Sequence, residues 1–233
     1  RFNCLYSKAV RTKETGAPSN QIGERAVRSL VANFDDQSAT YAPDGQLQNL
    51  EEAETNPAYV IITTSVIQAA SAQLSSFVTH KASQGFDVQV VTEASWGGGT
   101  GDAAAENIRS WLQANYIGQN IEYVLLIGNP DCADGDVPMK LMYPKVGEPP
   151  TPTDYYYADL TGNWDLDGDG QYGEFFEDAI ITSVDRNWEV IVGRIPYYGV
   201  PGDLDDILVR IMGYQNEPGA QAVWRKKLLL PIA

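Results

Sequence analysis

Three short apolar segments separated by helical patterns constrain this chain most. From Tyr59 to Thr64 the run YVIITT is continuous and β-branched, with Pro57 before it and Ser65 after it, as befits a strand buried on both faces. Ile67, Ala70, Leu74, Phe77 and Lys81 then recur at three- and four-residue steps, and Gly85 stands where a left-handed helix cap belongs. FDVQVVT, Phe86 to Thr92, alternates like a second strand. It leads to the glycine cluster Gly97 to Gly101, after which Asp102 is placed to cap a second helix with Ala105, Ile108, Trp111 and Leu112 on one face. YVLLIG, Tyr123 to Gly128, is a third strand. A β-α-β-α-β order predicts a mostly parallel sheet flanked by helices, with right-handed connections and the functional loops at the strands' carboxyl ends, near Thr64, Thr92 and Gly128.

Past Gly128 the chain enters a long Pro-, Gly- and Asp-rich excursion, at about 150–180, whose Tyr155, Tyr156, Tyr157 and Trp164 predict an ordered insertion rather than a disordered one. WEVIVGRIP, Trp188 to Pro196, reads as a further strand, followed by a third helix with Leu204, Ile207, Leu208, Ile211 and Tyr214 on its face. The domain plan is an N-terminal extension over 1–56, with strands near Cys4 to Val10 and Val27 to Phe34, then an α/β subdomain over 57–225. Residues 226–233, within KKLLLPIA, open a strand of a second subdomain absent from the sequence. The start at Arg1 is read as a cleaved end.

In the insertion, DLDGDGQYGE places Asp165, Asp167 and Asp169 two residues apart, so their carboxylates can converge on one hard cation, with Gly170 permitting the sharp turn. Gln171 offers its backbone carbonyl. A closing carboxylate belongs at the twelfth position, which is Phe176, so Glu174 is the chosen ligand and Glu177 falls one residue too late. The expected set for one calcium ion is Asp165, Asp167, Asp169, Gln171 and Glu174. With 16 Lys and Arg against 31 Asp and Glu, a net charge of −15, the chain favours divalent cations and repels nucleic acid. No apolar run reaches the roughly 20 residues of a membrane span.

Other candidates carry less. His80, the one histidine, sits in the first helix without a nucleophile at a useful spacing and reads as structural. The Gly97–Gly101 cluster lacks a P-loop lysine, and Asp102 would oppose a phosphate. Cys132 has Asp131, Asp134 and Asp136 for neighbours, which raise a thiol's pKa rather than activate it. A bridge between Cys4 and Cys132 is open.

In order, YVIITT, HKASQGFDVQVV, YVLLIGNPDCADGDVP, TDYYYADL, EVIVGRIP and the helix running into YQNEPGAQAVW resemble the gingipain-type cysteine peptidases of family C25, over roughly Pro57 to Ala233. The resemblance implies a caspase-like fold of two α/β subdomains, with the His-Gly and Cys catalytic motifs in the second. This chain resembles the first, so no catalytic residue is carried over. It also implies a secreted or bacterial cell-surface location, a catalytic C-terminal subdomain as partner, and protein or peptide substrates. Asp154 and Arg194 match family positions beside the sheet and are expected to pair. The leading expectation is an N-terminal scaffold subdomain of a secreted, calcium-stabilised endopeptidase, inactive alone. The alternatives are a non-catalytic surface or adhesion module on the same fold, and a sortase-like relative that processes secreted proteins.

Overall fold

The computed structural model describes residues 56–143, 149–174 and 187–218. The expected strands near Cys4 and Val27, the 226–233 strand and the Cys4–Cys132 bridge lie outside the described residues. Four parallel strands form the main sheet in the order β2-β1-β3-β6: β1 is Ala58–Ile62, β2 Asp87–Val91, β3 Ile121–Gly128 and β6 Ile191–Pro196. β1 lies between β2 and β3, with Ile61 opposite both Val90 and Leu125, and Leu126 of β3 is opposite Arg194 of β6. A two-stranded antiparallel ribbon, β4 (Lys140–Met142) with β5 (Thr151–Thr153), stands beside it.

Alternation along the strands divides the apolar side chains between two cores. On one face Val60, Ile62, Val124 and Leu126 pack under α4 (Gly101–Asn115) and the insertion's Tyr156, Tyr157 and Trp164. On the other, Ile61, Leu125, Ile127 and Ile195 meet α2 (Leu74–Ser83) and α5 (Pro201–Asn216) through Phe77, Leu74, Leu204 and Leu208. Each such fully buried side chain contributes roughly 1.5–3 kcal/mol of transfer free energy. The parallel α/β architecture read from the sequence is the one formed.

Three details differ from the expectation. The first helical pattern is two helices, α1 (Ser65–Ala70) and α2, because the Asp205 carboxylate of α5 accepts from the Ser71 hydroxyl at 2.6 Å and from the Ala72 and Gln73 N–H groups at 3.1 Å each. A short helix that the sequence pattern did not show, α3 (Glu93–Trp96), ends on the first glycine of the cluster, Gly97, at φ 102°. Asp102 does not cap α4. Thr100 holds that position, while the Asp102 carboxylate, in the first turn, lies 3.1 Å from the buried Lys140 amine.

Candidate functional site

The acidic loop is shaped by its glycines. Gly168 and Gly170 sit at φ 78° and 83°, a region that Cβ-bearing residues avoid, and they let the chain double back. Asp165, Asp167 and Asp169 thereby bring carboxylate oxygens within 4.8 Å of one another. Backbone donors hold them: Gly170 N–H to Asp165 at 3.3 Å, Asp169 N–H to Asp167 at 3.2 Å, and Gln171 N–H to Asp169 at 2.7 Å. The Gly173 N–H donates to the Trp164 carbonyl at 2.7 Å, closing the loop at its base. Among the described residues no Lys or Arg pairs with the three aspartates. Like charges gathered without a counter-charge are a donor set that suits a hard divalent cation. The Gln171 side-chain amide turns back to Asp169 at 2.7 Å. Glu174 is buried, at 6% exposure, and is not in the group defined by that 4.8 Å spacing.

The loop is tied to α4 and the β4–β5 ribbon through charged side chains that the sequence pattern had not singled out. Lys140 is wholly buried; its amine lies 3.0 Å from Glu106, 3.1 Å from Asp102 and 3.4 Å above the Tyr172 ring. Glu106 also accepts from the Tyr172 hydroxyl at 2.8 Å, and burial together with that bond pushes the Tyr172 phenol well above its ordinary range. Arg109 donates to the Asp159 and Gly162 carbonyls, at 2.7 Å for the shortest contact to each, and lies 4.7 Å from the Tyr156 ring centre. Burial raises the Tyr156 phenol to about 12, so its ring stays neutral under that cation. Asp159 accepts from the Gly162 N–H at 2.7 Å and the Trp164 indole at 3.0 Å. The one local hint was Arg109's place a turn from Ala105 and Leu112 on the buried face of α4.

The expected Asp154–Arg194 pair is present and bidentate, at 2.8 and 2.7 Å, with the third guanidinium nitrogen donating to the Val137 carbonyl at 2.6 Å. It joins the insertion to β6 near the carboxyl edge. Cys132 lies on the same edge, past β3; Gly101 opens α4 so close by that a Cβ there would stand 3.1 Å from the Ala133 carbonyl. Burial, then the charges of Asp131 and Asp102, push the Cys132 thiol up. His80 lies elsewhere, on α2, with its Nε2 3.0 Å from Gln215 of α5 and 3.1 Å from Gln84.

Among the described residues no helix is long and apolar enough to cross a membrane. A comparison with curated proteins returns no match. A solved structure described as "Structure of Protease" aligns at 18% identity with a TM-score of 0.41, covering 69% of this chain and 28% of its own. The family model for Peptidase family C25 matches residues 52–231. The chain therefore belongs to Peptidase family C25, with a cysteine-peptidase-related α/β scaffold.

Proposed function

We propose that this chain is the scaffold subdomain of a secreted, calcium-stabilised cysteine endopeptidase, acting on protein substrates with a Cys–His dyad supplied by a segment outside this sequence. The observation that carries this reading is the separation, among the described residues, of the thiol from the imidazole: Cys132 follows β3 and His80 lies on α2. A nucleophilic thiol needs a lowered pKa and a base within hydrogen-bond reach. The Cys132 thiol is shifted the opposite way, while His80, the one histidine, is engaged by Gln215 and Gln84 between α2 and α5. The sheet's carboxyl edge then serves as a wall and support for a cleft whose reacting groups come from the partner subdomain.

In this reading Asp165, Asp167, Asp169, the Gln171 carbonyl and Glu174 hold one calcium ion. The ion supplies the positive charge that the clustered carboxylates lack. An extracellular or cell-surface location fits such a site, since exposed modules of this kind bind at about 10⁻⁴–10⁻³ M calcium. The test of catalytic role is direct. The purified chain, incubated with casein and a mixed peptide library, should release no products above buffer and take no label from a peptidyl chloromethyl ketone. Hydrolysis by this chain that disappears in Cys132→Ser or His80→Ala would overturn the reading.

A further inference from the structure

Tyr172 directly follows Gln171, whose carbonyl belongs to the proposed calcium set, yet its side chain leaves the acidic loop and closes on a buried amine. Its ring centre lies 3.4 Å from the Lys140 amine. Its hydroxyl donates at 2.8 Å to Glu106 Oε1, the same oxygen that the Lys140 amine reaches at 3.0 Å. The Tyr172 carbonyl accepts from the Tyr143 N–H at 2.9 Å, just past β4. One residue therefore stitches the loop to α4 through Glu106 and to the ribbon through Tyr143.

Lysine normally lays its stem on apolar surface and leaves its head in water. Lys140 is 0% exposed although both of its carboxylate partners reach solvent, Asp102 at 59% and Glu106 at 44%. Its amine is closed in by two rings, Tyr172 and the buried Tyr156, the latter 5.5 Å away. Trp164 and Arg109 fix Tyr156 in the core, whereas Tyr172 is half-buried and takes its position from the acidic loop. In that loop the oxygens of Asp165, Asp167 and Asp169 lie within 4.8 Å of one another and repel, a load that the N–H groups of Asp169, Gly170 and Gln171 offset in part. The base is locked, because the Gly173 N–H donates to the Trp164 carbonyl at 2.7 Å and a Cβ at residue 173 would stand 3.2 Å from the Trp164 ring. Relaxation of the aspartates thus falls on the segment between Asp169 and Gly173, which contains Tyr172.

We propose that Tyr172 is a latch through which calcium in the acidic loop controls access to the Lys140 amine. With the ion bound the ring covers the amine; without it the aspartates part, the ring lifts and Lys140 opens to acylating reagents. The proposal rests on the calcium reading above. Because binding and closure are linked, whatever calcium adds to the closed loop, closure adds to the affinity for calcium.

The test acetylates the chain with an N-hydroxysuccinimide ester at fixed pH in about 0.15 M NaCl, which holds screening constant, and follows Lys140 and Lys81 by mass spectrometry as calcium is titrated. Lys81, buried on α2 beside Tyr59 and Phe77, is the internal reference. A loop with its aspartates apart does not bind the ion, so Lys140 labelling should slow about 100-fold at 100 times Kd while Lys81 stays unchanged. Tyr172→Phe keeps the ring and loses the bond to Glu106; it should label about 2- to 10-fold faster than wild type at each calcium concentration. Tyr172→Ala should label fast and without dependence on calcium. Calorimetry measures calcium binding independently. Calcium that binds without slowing Lys140 overturns the latch and leaves the calcium reading standing. Equal slowing of Lys140 and Lys81 also overturns it, since both amines are then reached by unfolding of the whole chain, as does calcium-dependent protection that survives Tyr172→Ala. Failure to bind calcium removes the calcium reading and the latch together.

Discussion

Arg194 illustrates how one side chain can join three segments. Its guanidinium takes both Asp154 oxygens and the Val137 carbonyl, so β6, the insertion and the chain after β3 meet at a single planar group. The side chains are 10% and 23% exposed, which keeps solvent screening small without the full penalty of deep burial. Asp154→Ala should destabilise the chain by on the order of 2–3 kcal/mol, because it leaves the guanidinium short of acceptors. Arg194→Lys should recover only part of the loss, since an ammonium cannot make the two-pronged contact. Urea titration of the three proteins measures both. The pairing was legible from the family pattern around D-x-x-Y and V-G-R. The burial of Lys140 was not, because nothing near it in sequence announces Glu106, Asp102 and the Tyr172 ring as its surroundings.

Among elements, the break between α1 and α2 shows where periodicity misleads. Ile67 through Lys81 keep helical spacing throughout, yet Ser71, Ala72 and Gln73 give their donors to Asp205, which lies over 130 residues away in the chain. A carboxylate that satisfies three donors at once can replace the helical bonds those residues would otherwise make. The Ser71 hydroxyl, and after it the two backbone N–H groups, hold the Asp205 carboxyl below its usual range. Its folded pKa is thus depressed, so its contribution to stability is present above the ordinary carboxylate value of about 3.9 and is lost as pH falls through the lower folded value. Asp205→Asn lacks that contribution. The gap in unfolding temperature between wild type and Asp205→Asn should therefore be open at pH 6 and narrow below about pH 4, measured by calorimetry across the range. A gap that widens on acidification would contradict the assignment.

For the molecule as a whole, the insertion is a second layer stapled to one face of a parallel sheet, and calcium in the acidic loop would tighten that staple. At a calcium concentration of 100 times Kd the gain is about 2.7 kcal/mol, which for a chain of this size corresponds to a rise of about 5–10 °C in unfolding temperature. Asp165→Asn with Asp169→Asn should abolish the rise, and magnesium at the same concentration should give a smaller one; thermal scans with and without chelator decide it. What the sequence by itself determined is local: strand and helix order, the alternation that divides two cores, the aromatic insertion and the Asp-Gly spacing of the loop. These depend on neighbours two to four residues apart, and any chain with that pattern obeys them. The tertiary structure alone decided which charges are buried, where α1 ends, and that Asp102 meets a lysine instead of capping α4. Those outcomes turn on groups distant in sequence that meet only once the sheet is assembled, where desolvation makes each unpaired charge too costly to leave alone.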